Sequence, residues 1–256
     1  MSELAFSFGR IAAEYDDVRP EYAPEALDRA AEALGLTAES RVVDLAAGSG
    51  KLTRALAQRF AEVVAVEPND AMRAVLAGRS AGIKVLAGTA ERMPLPDDFA
   101  DAVFVGDAFH WFDGPAAVAE LARVLRPDGG VALLWNHWWS DGDDRTSNSL
   151  DPPLPAEAQA LFDEVYVRSG RAAQRAAMAD PLLALSADRF EPLAYEAFPR
   201  FEELSRREVV DLFTTVSAVA SLPAPERDDL KRKLEALLGP SYRLKIVTDL
   251  YWTHRV

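Results

Sequence analysis

The chain contains no cysteine among its 256 residues. Disulfides and thiol nucleophiles are therefore excluded, and a structural zinc site would lack its usual sulfur ligands. Long apolar runs are missing too: none approaches the roughly 20 residues that a membrane-spanning helix requires. The first residues lack the basic and apolar regions of a signal peptide, so a cytoplasmic protein without membrane attachment is expected. Basic residues are outnumbered, 28 Lys and Arg against 41 Asp and Glu, for a net charge of -13. A general nucleic-acid-binding surface needs clustered Lys and Arg to meet phosphates, and this balance speaks against one. Internal repeats and low-complexity segments are also absent.

What is present is an ordinary globular composition, long enough for one substantial core. The chain is organised around Arg41 to Thr53, RVVDLAAGSGKLT, and the acid that follows at Glu67. Val42 and Val43 read as part of a buried parallel strand ending at Asp44. Ala46, Ala47, Gly48, Ser49 and Gly50 are all small, and Leu52, Leu56 and Phe60 then recur at helical spacing. Strand, glycine-rich turn and helix form the first unit of a nucleotide-binding α/β sheet. Small residues let backbone approach a ligand closely, and a helix N-terminus offers it free N–H groups. The next strand, 62–66, ends in Glu67, whose carboxylate can accept both hydroxyls of a ribose. A turn that needs glycine for its geometry alone is the competing explanation, and the acid at the end of the following strand weighs against it.

A dinucleotide fingerprint would place a third glycine where Thr53 or Lys51 stands, so an NAD-dependent oxidoreductase is disfavoured. Asp44, just before the turn, would repel a pyrophosphate but attract an ammonium. S-adenosylmethionine offers an ammonium and a ribose and carries no phosphate.

Strands are expected at 83–87, 102–105 and 131–135, with helices at 24–36, near 72–76 and at 115–125. This alternation argues for a doubly wound, mostly parallel sheet with the strand ends Asp44, Glu67, Gly88 and Gly106 along one edge. Residues 140–155, rich in Asp, Gly, Ser, Asn and Pro, read as a long loop. A helix over 155–178 follows, with Ala158, Phe162, Val165, Ala172 and Ala176 on its apolar side. Arg168, Arg171 and Arg175 share its neighbouring face, either as a solvated stripe paired with Glu164 or as a wall for an anionic substrate. A sixth strand within 190–201, helices at 206–213 and 224–238, and a last strand at 244–252 complete the reading.

Four stretches resemble the class I S-adenosylmethionine-dependent methyltransferases, specifically the type 11 small-molecule subgroup: VVDLAAGSGKLT, VVAVEPNDAM, AGTAERMPLPDDFADAVFVGDAFHWFD and LARVLRPDGGVALLWN. The lead-in FGRIAAEYDDVRPEY resembles the same subgroup, and FHWF is similar to trans-aconitate methyltransferase-like members. The likeness is specific over about 6–136 and loose beyond. Ala46 departs from the family pattern, which usually has glycine there. The resemblance implies a Rossmann-like, doubly wound, seven-stranded sheet with a helical lid insertion. It also implies a single domain over 1–256: a lid segment at 1–22, a cofactor-binding core at 41–136, an insertion at 140–190 and closing strands and helices at 190–256. S-adenosyl-L-methionine is the implied cofactor and a small molecule the implied methyl acceptor.

By resemblance, Asp44 would sit near the methionine ammonium, and Ala46, Ala47, Gly48 and Gly50 would line the methionine and ribose. Glu67 would hold the ribose hydroxyls, Pro68 and Met72 would pack by the adenine, and Thr89, Ala90 and Glu91 would read its edge. Asp107, Ala108 and Phe109 would face the sulfonium, and Tyr15 and Arg19 would close over the site. His110 is the candidate base, with a packed histidine that only shapes the pocket as the competing reading. Trp111, His137 and Trp138 are candidate acceptor-pocket residues, although core packing would also account for the tryptophans. A protein that binds S-adenosylmethionine or S-adenosylhomocysteine on this scaffold without methyl transfer is the alternative function.

Overall fold

The computed structural model describes residues 16–138, 149–169, 185 and 189–256. The valine-rich runs form β1 (Arg41–Leu45) and β2 (Glu62–Val66), parallel neighbours with Asp44 opposite Ala65. β3 (Lys84–Leu86) lies outside β2, β4 (Ala100–Gly106) lies on the other side of β1, and β5 (Leu125–His137) follows β4, all parallel. The helices between them are α1 (Pro24–Ala33), α2 (Lys51–Ala57), α3 (Asp70–Arg79) and α4 (Gly114–Val124). Their apolar faces bury against the two sides of the sheet. Leu27, Leu52 and Leu56 meet Phe104 and Leu134 on one side, and Val118 and Leu121 meet Val103 and Leu133 on the other. α1 stops three residues before the expected Leu36 because Gly35 turns into the left-handed region at φ 61°.

After β5 come β6 (Leu150–Asp151), α5 (Ala156–Arg168), β7 (Ala194–Ser205), α6 (Arg206–Thr214), α7 (Ser217–Ala220), α8 (Ala224–Leu237) and β8 (Ser241–His254). β8 is antiparallel to β5 along one edge and to β7 along the other. The sheet has eight strands where seven were expected. The additional one is β6, which pairs Leu150 with Leu244 where β5 no longer covers β8. Backbone groups there need partners, and a two-residue strand supplies them.

A second difference lies at the start of β5. Residues 126–130 were expected to separate helix from strand, yet Leu125 already pairs with Ala100. The chain then bulges and resumes pairing at Gly130 opposite Ala102, with Asp128 at φ 64° inside the bulge.

The length of β8 divides the core. Its C-terminal half belongs to the main sheet, whereas Tyr242, Leu244 and Ile246 pack under α5, α6, α7 and α8 with Phe162, Val165, Phe213, Leu230 and Leu234. α5 thus buries Ala158, Phe162 and Val165 as its spacing predicts. The remainder of the expected 155–178 helix and most of the insertion, including Ala172, Ala176, Arg171 and Arg175, lie outside the described residues. Arg168 pairs with Glu226 of α8 at 2.9 Å, not with Glu164, because α8 packs alongside α5. Among the described residues, no helix is long and apolar enough to cross a membrane.

Phe104 is fully buried in central strand β4 and packs against Phe60 with ring centroids 6.1 Å apart. Phe104→Ala is expected to cost about 3–5 kcal/mol of stability, measured by urea unfolding.

Candidate active site

The C-terminal ends of β1, β2, β4 and β5 open onto a crevice with about 970 Å³ of empty space, its open mouth included. Its floor is the turn after β1. Ala46 and Gly48 both take φ 57°, a backbone that suits glycine and that alanine adopts only with strain. This bend turns the Gly48 N–H toward β2, where it donates to Glu67 Oε2 at 2.9 Å. Glu67 Oε1 accepts from the Asn69 N–H at 2.8 Å. Burial pushes the Glu67 carboxyl upward from its ordinary pKa against the pull of those two N–H groups and of Arg73.

Asp44 lies deeper, 1% exposed. Its Oδ2 accepts from Thr53 Oγ1 at 2.5 Å, and its Oδ1 is buried without a hydrogen-bond partner. Burial, with a smaller contribution from the Glu67 charge, pushes its pKa up to about 7. Two buried carboxyls therefore share one crevice.

The third carboxyl is Asp107, at φ 51° just after β4. Tyr22 donates to its Oδ2 at 2.9 Å and the Asn136 N–H to its Oδ1 at 3.1 Å. Burial raises its pKa, while the Tyr22 bond, Arg19, the Asn136 N–H and His137 oppose the rise. Gly106 leaves the room that Tyr22 occupies, since a Cβ there would lie 2.3 Å from the tyrosine oxygen.

Of the residues expected from the sequence, the structure gathers Arg19, Asp44, Ala46, Ala47, Gly48, Glu67, Pro68, Met72, Asp107, Ala108, Trp111 and Trp138 around this crevice. Others lie elsewhere. Gly50, at φ 91°, sits behind the turn, where a Cβ would meet the Leu76 side chain at 2.8 Å. Phe109 is in the core, edge-on to Phe112. His110 packs against Trp111 with ring centroids 4.7 Å apart. Ala90 is buried in the core, and Thr89 and Glu91 belong to the loop after β3, where Glu91 accepts the Asp113 N–H at 3.1 Å. His137 stands between two lining residues without lining the crevice itself. Tyr15 lies outside the described residues.

The family profile described as a methyltransferase domain matches residues 43–133, the segment that builds this crevice. The chain is 46% identical over 134 residues to an uncharacterized methyltransferase of Mycobacterium tuberculosis, covering 52% of this chain and 54% of that protein. The chain thus spans about half the length of the first curated relatives it matches. An uncharacterized methyltransferase of Schizosaccharomyces pombe is 28% identical over 227 residues, covering 88% of this chain and 84% of that protein. A solved structure described as a type II methyltransferase from Anaeromyxobacter dehalogenans covers 92% of this chain and 97% of its own, with a TM-score of 0.61 at 21% identity, a likeness of fold. Residues 43–133 thus carry the sequence signature of a methyltransferase domain.

Several residues that complete this crevice escaped the sequence reading. Tyr22 and Asn136 line it, as do Ser49, Lys51, Leu52 and Phe112. Asn136 ends a parallel strand just as Asp107 does, and that position was the available signal. Its side chain donates to the Pro20 and Glu21 carbonyls at 3.2 and 3.0 Å and accepts from Thr248 at 2.6 Å. Arg19 donates to the Thr215 hydroxyl at 3.1 Å and carbonyl at 2.9 Å, with its guanidinium 4.9 Å from the centre of the Trp138 ring. Asp16, 3% exposed, accepts from Ser49 at 2.6 Å and from Arg54 at 2.8 Å, and it also meets Arg79. Burial alone would raise the Asp16 pKa, but the bonds from Ser49, Arg54 and Arg79 outweigh it and hold the group below its usual value.

A depressed folded-state pKa contributes stability above the unfolded value and loses it as pH falls. Asp16→Asn is therefore expected to cost about 1–3 kcal/mol at pH 7. The gap from wild type should narrow as pH drops below the ordinary carboxylate range, measured by thermal unfolding across pH.

Proposed function

We propose that this chain is an S-adenosylmethionine-dependent methyltransferase acting on a small molecule. The observation that carries the reading is the Asp44 Oδ1, buried at the crevice, unpartnered and next to the second carboxyl of Glu67. Two neighbouring buried acids raise each other's cost of ionisation, and a ligand bearing an ammonium relieves it. The residues present fit that cofactor. Asp44 would take the ammonium. Glu67 keeps lone pairs for ribose hydroxyls while its backbone bonds hold it still, and Pro68 and Met72 offer an apolar bed for the base.

When bound, the cofactor supplies a methyl group on a sulfonium. The protein's own contribution is alignment and exclusion of water, and such positioning is worth on the order of 7–11 kcal/mol. Tyr22, Arg19 and Pro20 from the lead-in, held through Asp107, Thr215 and Asn136, form a wall that narrows access. Trp111, Phe112 and Trp138 add apolar surface suited to a compact acceptor. The acidic charge balance speaks for the same acceptor class against nucleic acid. The FHWF stretch keeps the trans-aconitate methyltransferase-like subgroup as the starting point for an acceptor screen.

Calorimetry with S-adenosylmethionine tests the reading, and no binding at millimolar ligand would end it. Because the ammonium needs the ionised Asp44 and this group titrates near 7, affinity is expected to weaken as pH falls, approaching about tenfold per pH unit below 7. Asp44→Asn should weaken binding at pH 8 and abolish this slope.

A further inference from the structure

Asp249 is a buried carboxyl that cofactor binding leaves unused. It lies in β8, 1% exposed, opposite Trp135 of β5. Its Oδ1 accepts from the Tyr195 hydroxyl at 2.9 Å, and its Oδ2 lies 3.1 Å from His137 Nε2. His137 is the last residue of β5, beside the crevice residues Asn136 and Trp138, and 33% of its side chain is exposed. It is near enough to Asp107 for its positive charge to favour the ionised form of that acid.

Aromatic rings flank this pair. Tyr195 stacks on Tyr251 at 4.7 Å, and Trp135 meets Tyr251 edge-on at 5.7 Å. Trp135 and Tyr251 pack against the same core as Trp111 and Phe112, which line the crevice. A carboxyl buried in a central strand is costly unless something uses it. A carboxylate against one nitrogen of an accessible histidine fixes the tautomer and stabilises the imidazolium. His110, the base expected from the sequence, packs on Trp111, and neither it nor His137 lines the crevice wall.

We propose that His137, oriented by Asp249, is the proton acceptor for a flat hydroxylated methyl acceptor lying on the Trp135, Tyr251 and Tyr195 shelf. The proposal rests on the methyltransferase reading above. In the step, the acceptor O–H proton passes to the imidazole and the oxygen electron pair forms the new O–CH3 bond. The S–CH3 bond breaks with its pair staying on sulfur, leaving a neutral thioether. Asp249 from β8 meets His137 directly, Tyr195 from β7 bonds the other oxygen of Asp249, and Asp107 after β4 lies within electrostatic reach of His137 and of Arg19.

Long-range proton–nitrogen spectra of the 15N-labelled full chain resolve its three histidines, with His137→Gln identifying the resonance. Neutral His137 is expected as the Nε2–H tautomer, and Asp249→Asn should weaken that preference. The Nδ1–H tautomer in wild type, or an unchanged tautomer preference in Asp249→Asn, overturns the pairing. The wild-type tautomer decides the matter even if the variant does not fold. After cofactor calorimetry, catechol and 2-naphthol are offered with methyl-labelled S-adenosylmethionine. His137→Gln is expected to bind cofactor within twofold of wild type while kcat falls about 10²–10⁴-fold and loses its rise with pH. Cofactor binding with no labelled product from either phenol, or full turnover in His137→Gln, overturns the proposal. Absence of cofactor binding brings down the methyltransferase reading itself, and this proposal with it.

Discussion

One buried carboxylate holds the ends of two strands in place. Glu67 accepts the Gly48 N–H from the turn after β1 and the Asn69 N–H from its own loop. The Ala47 N–H adds a bond to the Val66 carbonyl at 3.2 Å. With both carboxylate oxygens engaged, the turn cannot drift from β2, and Ala46 and Gly48 keep their left-handed kinks at the crevice. The same bonds compensate part of the cost of burying Glu67, and Asp44 beside it carries the remaining imbalance. The crevice therefore keeps one buried carboxylate oxygen, Asp44 Oδ1, without a hydrogen-bond partner.

A second constraint closes the crevice from the side. Residues 16–23 touch the turn through Asp16, β4 through Tyr22, β5 through Asn136 and the α6–α7 junction through Arg19. The Ala23 N–H bonds Thr248 of β8 at 3.1 Å, so the segment is anchored where α1 begins. Each of these bonds ties the lead-in to a different element, which makes the crevice a property of the whole assembly. Trp138, the residue after β5, is shared between the core under the helices that cover the N-terminal half of β8 and the crevice wall.

Most elements were legible because their signals are local. The run 62–66 is a strand with the bounds its β-branched residues suggest, and 206–214 starts with a capping box at Ser205 and Glu208. The turn, Asp44 and Glu67 were legible as neighbours along one crevice for the same reason, since they lie within one strand–turn–helix unit and the strand after it. The bulge in β5 was not, because Pro127, Gly129 and Gly130 read as a breaker unless a neighbouring strand tolerates one. Tyr22 with Asp107, and His137 with Asp249, were not legible as pairs. Nothing local marks a side chain whose partner lies 85 or more residues away.

The amino-acid order alone determined the parallel sheet, the strand edge at which the crevice opens, and the acids at 44 and 67 beside it, because hydrophobic period and glycine placement act over a few residues. Only the packed structure decided which carboxyls are satisfied and which are left wanting a partner. It also decided that Gly50 serves the fold behind the turn, and that a histidine at the end of β5 stands against a buried acid of β8. Those outcomes depend on register and burial, which arise only when distant strands meet.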